Sequence, residues 1–239
     1  MTIASRPLNG PARRSAGAAG GLGVGFGLLA LTFAVTGCQT TRTAYYNAWE
    51  KMGYAKRERL VDNVKAARQE QVEAKQEFSS ALEQFKSVVN FQGGDLEKLY
   101  NQLDKEYKRC DSQAGEVRSK VQSVKNVATA LFDEWKGEIG QMKDPSLAGK
   151  SQQLYDQTQA NYKEMIARMD TAAASMNPVL EKFNDRVLFL KANLNAQAIA
   201  SLKGTEVELG GDIDKLIRDM QTSIDEADKF ISGLESKKG

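Results

Sequence analysis

The chain has 239 residues, with 33 Lys+Arg against 31 Asp+Glu, no His and two Cys. Its 27% charged and 41% hydrophobic residues are typical of an ordered chain that is long enough to bury a core. Without His, imidazole catalysis and the commonest ligands for zinc, copper and non-haem iron are excluded. Two cysteines cannot form a disulfide framework, and a net charge of +2 gives no reason to expect a nucleic-acid partner. We therefore predict no cofactor, no metal site and no nucleic-acid binding.

The N-terminus has the pattern of a bacterial export signal. Arg6, Arg13 and Arg14 are followed by an uncharged run over residues 15–36 that is rich in Leu, Val and Phe. A basic segment before an apolar one is the arrangement of a signal peptide. We therefore expect the protein to leave the cytoplasm.

The apolar run ends in four residues that resemble the lipobox of bacterial lipoproteins, namely Val35, Thr36, Gly37 and Cys38. In that motif, small residues precede a cysteine that receives a diacylglyceryl group before cleavage. The resemblance implies that residues 1–37 are a removed signal peptide and that Cys38 is the lipidated first residue of the mature protein. Two or three acyl chains anchor a protein durably, because each buried methylene contributes about 0.8 kcal/mol.

Other interpretations of this segment have less support. A transmembrane anchor needs roughly 20 apolar residues, and the Gly-rich run barely reaches that length. A free or disulfide-bonded Cys38 is a further alternative. The Arg13-Arg14 pair allows twin-arginine export, but residues 15–17 lack the expected hydrophobic side chains, which favours the general secretory route. Gln39, rather than Asp, after the cysteine favours the periplasmic face of the outer membrane.

From residue 60 the apolar residues recur in alternating steps of four and three, which keeps one seam of a helix against a partner helix. Gly93 and Gly94 are expected to end the first helix, and Asp95 to cap the second. Asp144-Pro145 is a typical start for the third. The first predicted seam is Leu60, Val64, Ala67, Gln71, Ala74, Phe78, Ala81, Phe85 and Val88.

Three further seams follow along the chain. Glu138 interrupts the second, where we expect it to face solvent near a frayed end while Ile139 enters the core. The third crosses Pro178 without losing phase, which favours a kinked helix over two helices. Lys203-Gly204 is expected to end that helix, with a turn at Gly210-Gly211 and Asp212 capping the last. The second seam comprises Leu103, Tyr107, Cys110, Ala114, Val117, Val121, Val124, Ala128, Leu131, Trp135 and Met142. The third comprises Leu154, Thr158, Tyr162, Met165, Met169, Ala172, Met176, Val179, Phe183, Val187, Leu190 and Leu194. The fourth comprises Ile213, Ile217, Met220, Ile224, Ala227, Ile231 and Leu234.

These seams predict an all-α fold, an elongated antiparallel bundle of three long helices plus a shorter fourth with coiled-coil-like packing. Short connections make successive helices antiparallel neighbours, and a rise of 1.5 Å per residue gives a rod about 70 Å or longer. We expect a lipidated tether over 38–44 and one bundle domain over 45–236. Because the last helix is short, the half nearer the membrane would have three helices and would either expose apolar surface or bind a partner.

Few residues suggest chemistry. Glu70, Glu73 and Glu77 have helical spacing, but di-iron bundles need Glu-x-x-His pairs, so we interpret these acids as charges that flank the core. Cys110 lies on a seam, where a buried, inert thiol is expected. With no nucleotide loop or nucleophile elbow either, we predict that the protein is not an enzyme.

Several seam residues are open to more than one interpretation. The methionines at 165, 169 and 176 are expected to fill the core, although such a row also suits a promiscuous binding surface. Gln71 and Thr158 are polar at core positions, where they either fix the helix register or are merely tolerated in a thin bundle.

Aromatic residues with polar tips cluster near the predicted lipid, at Tyr45, Tyr46, Trp49 and Tyr54. Such residues favour the membrane interface, so this cluster is a candidate for contact with lipid headgroups. It is equally suited to closing the end of the bundle, and the sequence does not separate the two interpretations.

Four segments resemble a family of uncharacterised proteobacterial lipoproteins known as domain of unknown function 2959. They are YYNAWEKMG at 45–53, FSSALEQFKSVVNF at 78–91, ALFDEW at 130–135 and LKANLNAQAIASL at 190–202. The resemblance spans nearly the whole mature chain. It implies lipoprotein character and a helical fold, but no activity and no site residues.

Together these features predict a non-enzymatic, lipid-anchored envelope protein that serves as a helical scaffold or docking surface in the periplasm. Its expected partners are the membrane, through the N-terminal lipid, and an unidentified envelope protein, and self-association into a homo-oligomer is open. The alternative is a chaperone-like module that holds a hydrophobic ligand or client between its helices. That alternative predicts a gap, near Pro178 or in the three-helix half, that is lined by Met and aromatic residues.

Overall fold

A computed structural model describes the backbone of residues 39–236 and the side chains of residues 55–236. The account below concerns the unit formed by residues 43–239. Five helices and no strand occur in the described part: α1 (Gln39–Val89), α2 (Leu96–Gln141), α3 (Pro145–Ala192), α4 (Ala196–Lys203) and α5 (Glu206–Glu235). The predicted all-α class is confirmed.

Helices α1, α2, α3 and α5 form an antiparallel ring, in which α1 and α3 each pack between α2 and α5. At every interface the residue numbers rise in one helix as they fall in its neighbour. The contacts that show this are Lys56–Glu134 and Glu77–Arg109 (α1–α2), Arg118–Asn177 and Lys125–Asp170 (α2–α3), Ser175–Asp219 and Lys182–Asp212 (α3–α5), and Lys65–Glu235 and Lys75–Gln221 (α1–α5). The predicted antiparallel bundle is thus confirmed.

Two of the predicted helix boundaries are formed as expected. α1 ends at Val89, and Gly93 and Gly94 lie in the connection that follows, where they adopt positive φ angles of 139° and 129°, a conformation that favours glycine. Asp95 Oδ1 accepts a hydrogen bond of 3.0 Å from the backbone N–H of Lys98. Asp144 Oδ1 likewise accepts from two backbone N–H groups at the start of α3, at 2.8 and 3.2 Å. Each cap satisfies donors that have no partner within the helix.

We expect Asp95→Ala and Asp144→Ala each to lower the free energy of unfolding by about 1 kcal/mol, because each removes a side-chain acceptor from a helix start. Chemical denaturation followed by circular dichroism measures the change. Asp111→Ala is the control, since Asp111 is exposed in the middle of α2, and its effect should stay within about 0.5 kcal/mol. Equal losses for all three variants would contradict the capping role.

The end of the third helix was predicted wrongly. α3 stops at Ala192 rather than at Lys203-Gly204, and a separate helix, α4, follows. The side chain of Asn195 accepts a hydrogen bond of 3.0 Å from the backbone N–H of Ala198 and so caps α4. Asparagine competes for backbone hydrogen bonds and therefore favours caps over helix interiors, which explains the break.

The predicted turn at Gly210-Gly211 was also wrong, because both residues lie within α5. Asp212 does not cap a helix, and its carboxylate pairs with Lys182 Nζ at 2.6 Å. A glycine in a helix interior costs about 1 kcal/mol relative to alanine. Leu209 and Ile213, on either side, are fully buried, and this packing keeps the segment helical.

Pro178 does not divide its helix. α3 runs as one element from Pro145 to Ala192, so the interpretation of a single helix is confirmed. The side chain of Asn177 accepts a hydrogen bond of 2.9 Å from the Arg118 guanidinium, where the alternative of two helices would have made it an N-cap.

The seams predicted from residue spacing form the core. All nine residues of the first seam are fully buried, and the second and third seams are buried over most of their lengths. Ile139 packs against the core as expected, but α2 continues to Gln141, so Glu138 is half-buried rather than at a frayed end. Three predicted core residues are instead exposed, namely Met142 at 40%, Leu154 at 45% and Leu194 at 44%.

Local structure explains why each of these three side chains is exposed rather than in the core. Met142 follows the last residue of α2, and Leu194 lies in the connection between α3 and α4. Leu154 is helical, but the core position in that turn of α3 belongs to Tyr155. Spacing alone did not separate these two neighbours.

Candidate functional site

The predicted lipidation site lies outside the described residues, and this applies to all of Val35, Thr36, Gly37 and Cys38. Tyr45, Tyr46, Trp49 and Tyr54 belong to α1, but their side chains are also outside the described part. Both interpretations of this aromatic cluster therefore stay predictions. Among the described residues, no helix is both long enough and apolar enough to cross a membrane.

Two of the three glutamates singled out on α1 connect helices, whereas Glu73 accepts a hydrogen bond from Gln69 of the same helix. Glu77 pairs with Arg109 of α2 at 2.6 Å, and Glu70 accepts a hydrogen bond of 2.8 Å from the Gln113 amide. Within residues 55–236, no group of three or more Cys, Asp or Glu residues is arranged to hold a metal ion. Glu70 and Glu77 thus lie beside the core, as predicted for charges that flank a seam.

Cys110 is fully buried on α2. The pKa of its thiol is raised from 9.0 to about 12, mainly by desolvation and also by the nearby Glu77 and Glu106 carboxylates, while Arg109 acts in the opposite direction. A thiol with such a pKa is protonated at neutral pH and is a poor nucleophile. The predicted inert, buried cysteine agrees with this environment.

The methionines at 165, 169 and 176 are all buried, with exposed fractions of 1% or less. They fill the core, and the interpretation of this row as a binding surface is wrong. Gln71 and Thr158 are buried as well, so both polar residues do occupy the core.

A small groove of about 180 Å³ lies beside Pro178, between α3 and α5. Drug-sized ligand pockets are larger, at about 300–1,000 Å³. The groove is edged by Lys182, Asp212, Lys215 and Asp219 and has no Met or aromatic residue in its lining. The pKa of Lys182 is raised by its hydrogen bonds to Asp212 and Glu208. The groove is therefore edged by an ion-pair cluster that joins two helices.

An aromatic cluster closes the four-helix core where α5 ends. Phe132 packs edge-on against Tyr155 with ring centroids 5.5 Å apart, and Trp135 packs against the same tyrosine at 5.6 Å. Tyr162 extends the cluster to Phe230 of α5 at 6.3 Å. Offset contacts of this kind stabilise aromatic pairs by about 0.5–1.5 kcal/mol beyond their burial.

Polar contacts hold the indole of Trp135 on the outer side of this cluster. Its Nε1–H donates to Ser151 Oγ at 2.9 Å, which links α2 to α3. The guanidinium of Arg57, on α1, lies 5.7 Å from the ring centroid, within cation–π range. The three helices that continue past α5 are thus joined to one another at this level.

Beyond the aromatic cluster, the face of α3 that would meet α5 is open. Ser175 and Lys182 mark this face, because both contact α5. Leu154 and Leu147 lie 21 and 28 residues before Ser175, so they share its position in the seven-residue repeat. Leu147 is 57% exposed and Leu154 is 45% exposed. We call these two residues the open face. They form the exposed apolar surface that was one expectation for the three-helix half.

The open face has a basic edge. Lys143 and Lys150 are exposed and lie four residues before Leu147 and Leu154, respectively. Residues four apart are neighbours on a helix surface, so Leu154 has Lys150 one turn away, whereas Lys143 lies in the connection just before α3 begins at Pro145. A partner that covers this face would therefore meet both apolar and positive groups.

Arg186 is a structural residue that sequence analysis missed. It is 9% exposed, and its guanidinium donates to Lys182 O at 2.7 Å, Thr205 Oγ1 at 3.2 Å and Glu208 Oε2 at 3.3 Å. These bonds hold the start of α5 against α3. The spacing contained the signal, because Arg186 lies three residues after Phe183 and four before Leu190 and so shares their face of the helix.

The described helices thus define a class, that of antiparallel helical bundles in which one helix stops short and leaves an apolar face open. The family model described as Protein of unknown function (DUF2959) matches residues 45–234. The chain belongs to this family, which confirms the resemblance seen in its sequence segments. No curated protein and no solved structure matches the chain.

Proposed function

We propose that the protein is a non-enzymatic, lipid-anchored component of the cell envelope that docks another envelope protein on its open face. In this proposal the lipid on Cys38 holds the chain at the periplasmic face of the outer membrane. The bundle is then the scaffold that carries the docking surface. The three-helix half contains the start of α1 and would lie nearest the bilayer.

One observation carries the docking role, namely that two exposed leucines, Leu147 and Leu154, lie on the side of α3 that faces α5, beyond the point where α5 has ended. The stretch of α3 over residues 145–158 is about 20 Å long at 1.5 Å per residue. Solvent-facing positions of a helix are ordinarily polar. Two exposed leucines in heptad register suit a helix that packs in line with α5.

The expected occupant is an amphipathic helix of a partner protein, with apolar residues at heptad spacing and acidic residues along one edge. Its acidic edge would face Lys143 and Lys150. α5 shows the same charge arrangement in the four-helix half, where Glu208 and Asp212 pair with Lys182 of α3. Charge complementarity of this kind favours the correct partner and orientation.

Lipid anchoring is tested by replacing Cys38. In a bacterium that processes lipoproteins, we expect the wild-type chain to be found in the membrane fraction and to incorporate labelled fatty acid. Cys38→Ser should incorporate none, because serine has no sulfur to form the thioether that carries the diacylglyceryl group. Ser15→Ala is the control and should leave the label unchanged. Equal labelling of wild type and Cys38→Ser would contradict the proposal.

Docking is tested with a photoactivatable residue at position 154 in intact cells. We expect one discrete adduct whose crosslinked segment is an amphipathic helix with an acidic edge, identified by mass spectrometry. The same residue at position 160, which is exposed on the outer side of α3, is the control and should give no such adduct. An adduct with a second copy, with lipid alone, or equally at both positions would contradict docking.

A further inference from the structure

One level of the four-helix core contains polar atoms that have no partner in the protein. Gln71 and Ser223 are both fully buried. Neither Oε1 nor Nε2 of Gln71 forms a hydrogen bond with another protein group, and the same is true of Ser223 Oγ. Buried polar side chains are ordinarily hydrogen-bonded, because losing water without a replacement partner is costly. These three atoms therefore require an explanation.

The two residues lie at the same height in the bundle. Gln71 is on α1 and Ser223 is on α5, and the two helices are antiparallel neighbours. Two contacts bracket both residues, one on each side. These contacts are Arg68–Asp228 and Lys75–Gln221.

Small side chains come from the other two helices at this height. On α2, Ala114 follows Gln113, whose amide contacts Glu70, the residue before Gln71. On α3, Ala172 precedes by one turn Ser175, which contacts α5 at Asp219. Both alanines are fully buried. Gln71 and Ser223 thus share their level with methyl groups, whereas the larger buried side chains of Met176 and Met220 lie one turn away from Ala172 and Ser223, respectively.

We propose that this level is a buried water-binding site in which a water molecule bridges the amide of Gln71 and the hydroxyl of Ser223. The amide of Gln71 supplies both an acceptor and donors, and the hydroxyl of Ser223 can donate or accept a hydrogen bond. The three unpartnered atoms therefore match the roughly three hydrogen bonds that a buried water makes. Alanine on the two remaining helices leaves space that a Leu or Phe would fill. The bridge joins α1 to α5 across the core and sets their register, since only one alignment brings the two residues level.

A double-mutant cycle tests the bridge. Ser223→Ala alone should raise the unfolding equilibrium constant about fivefold, because the water loses one of its partners. In a Gln71→Leu chain the water has no amide to bind, and Ser223→Ala should then have no cost. Urea denaturation of the four chains measures the coupling. Additive effects of the two substitutions would overturn the proposal.

Thr158→Val is the control partner for the cycle. Thr158 is also a buried polar residue of the core, but it lies 14 residues from Ala172 on α3, or about 20 Å along the helix. Substitutions that far apart are additive, so Thr158→Val should show no coupling to Gln71→Leu. Coupling of equal size to both partners would indicate a global effect and overturn the assignment.

A high-resolution crystal structure of the wild-type bundle supplies the second readout. We expect an ordered water within hydrogen-bond distance of Gln71 and Ser223 Oγ, and its loss in the Gln71→Leu, Ser223→Ala chain. A direct amide–hydroxyl hydrogen bond, or an anhydrous cavity, would overturn the proposal even if the cycle showed coupling.

Discussion

Replacing Phe183 by alanine is expected to lower the free energy of unfolding by about 3–5 kcal/mol. Phe183 is fully buried on α3 and packs edge-on against Tyr107 of α2, with ring centroids 5.8 Å apart. The substitution removes the transfer free energy of the ring and leaves a cavity that close-packed neighbours only partly fill. Urea denaturation followed by circular dichroism measures the loss.

Phe189→Ala is the matched control for this prediction. Phe189 lies on the same helix but is 40% exposed, so its removal leaves no enclosed cavity. We expect a loss below about 1.5 kcal/mol, in line with a partly solvated side chain. Losses of similar size for the two variants would show that the core of α3 is not where the structure places it.

The second large expected effect is a loss of stability at alkaline pH that depends on Cys110. The folded-state pKa of its thiol is about 12, above the ordinary 9.0. For an acidic group with a raised pKa, the folded protein keeps a proton that the unfolded chain releases. Stability is therefore fully present below pH 9 and is lost as pH rises from 9 towards 12. The expected slope is about 1.4 kcal/mol per pH unit within that window.

The measurement compares the wild type with Cys110→Ala between pH 8 and about pH 10.5, where the variant lacks the thiol that titrates. Lysines and tyrosines titrate in both chains, so only the difference between the two slopes reports on Cys110. The wild type should lose more stability over this range by about 2 kcal/mol. Parallel curves for the two chains would mean that the thiol is not desolvated in the folded state.

Much of the fold could be predicted from the sequence because one seam of each long helix is apolar. The alternating steps of three and four placed all nine residues of the first seam in the core. Asp95 and Asp144 fixed two helix starts through local capping chemistry. Patterns that act within one helix, or between a cap and its first turn, are visible in a single sequence.

The errors arose where a contact with another helix decided the outcome. Gly210 and Gly211 have the composition of a turn, yet the buried residues on either side hold them in α5. Leu154 and Tyr155 both suit a seam, and contacts with Phe132 and Trp135 on α2 select the tyrosine. Arg186 was missed because its partners, Thr205 and Glu208, lie past the α3–α4 connection.

The candidate sites show the same difference between features set by neighbouring residues and features set by contacts between helices. The predicted lipobox and the family resemblance came from the sequence alone, because both rest on runs of neighbouring residues. The open face could be anticipated only in outline, as a three-helix half. Its residues, Leu147 and Leu154, became apparent when the end of α5 was placed against α3.

The sequence by itself determined that this is a helical bundle with an inert buried thiol, and the family to which it belongs. Those properties follow from local periodicity, composition and short motifs. The tertiary structure decided where α5 ends relative to α3, which polar atoms of the core lack partners, and which leucines remain exposed. Each of these depends on the alignment of helices far apart in the chain, and alignment is set by packing of the whole core rather than by any one segment.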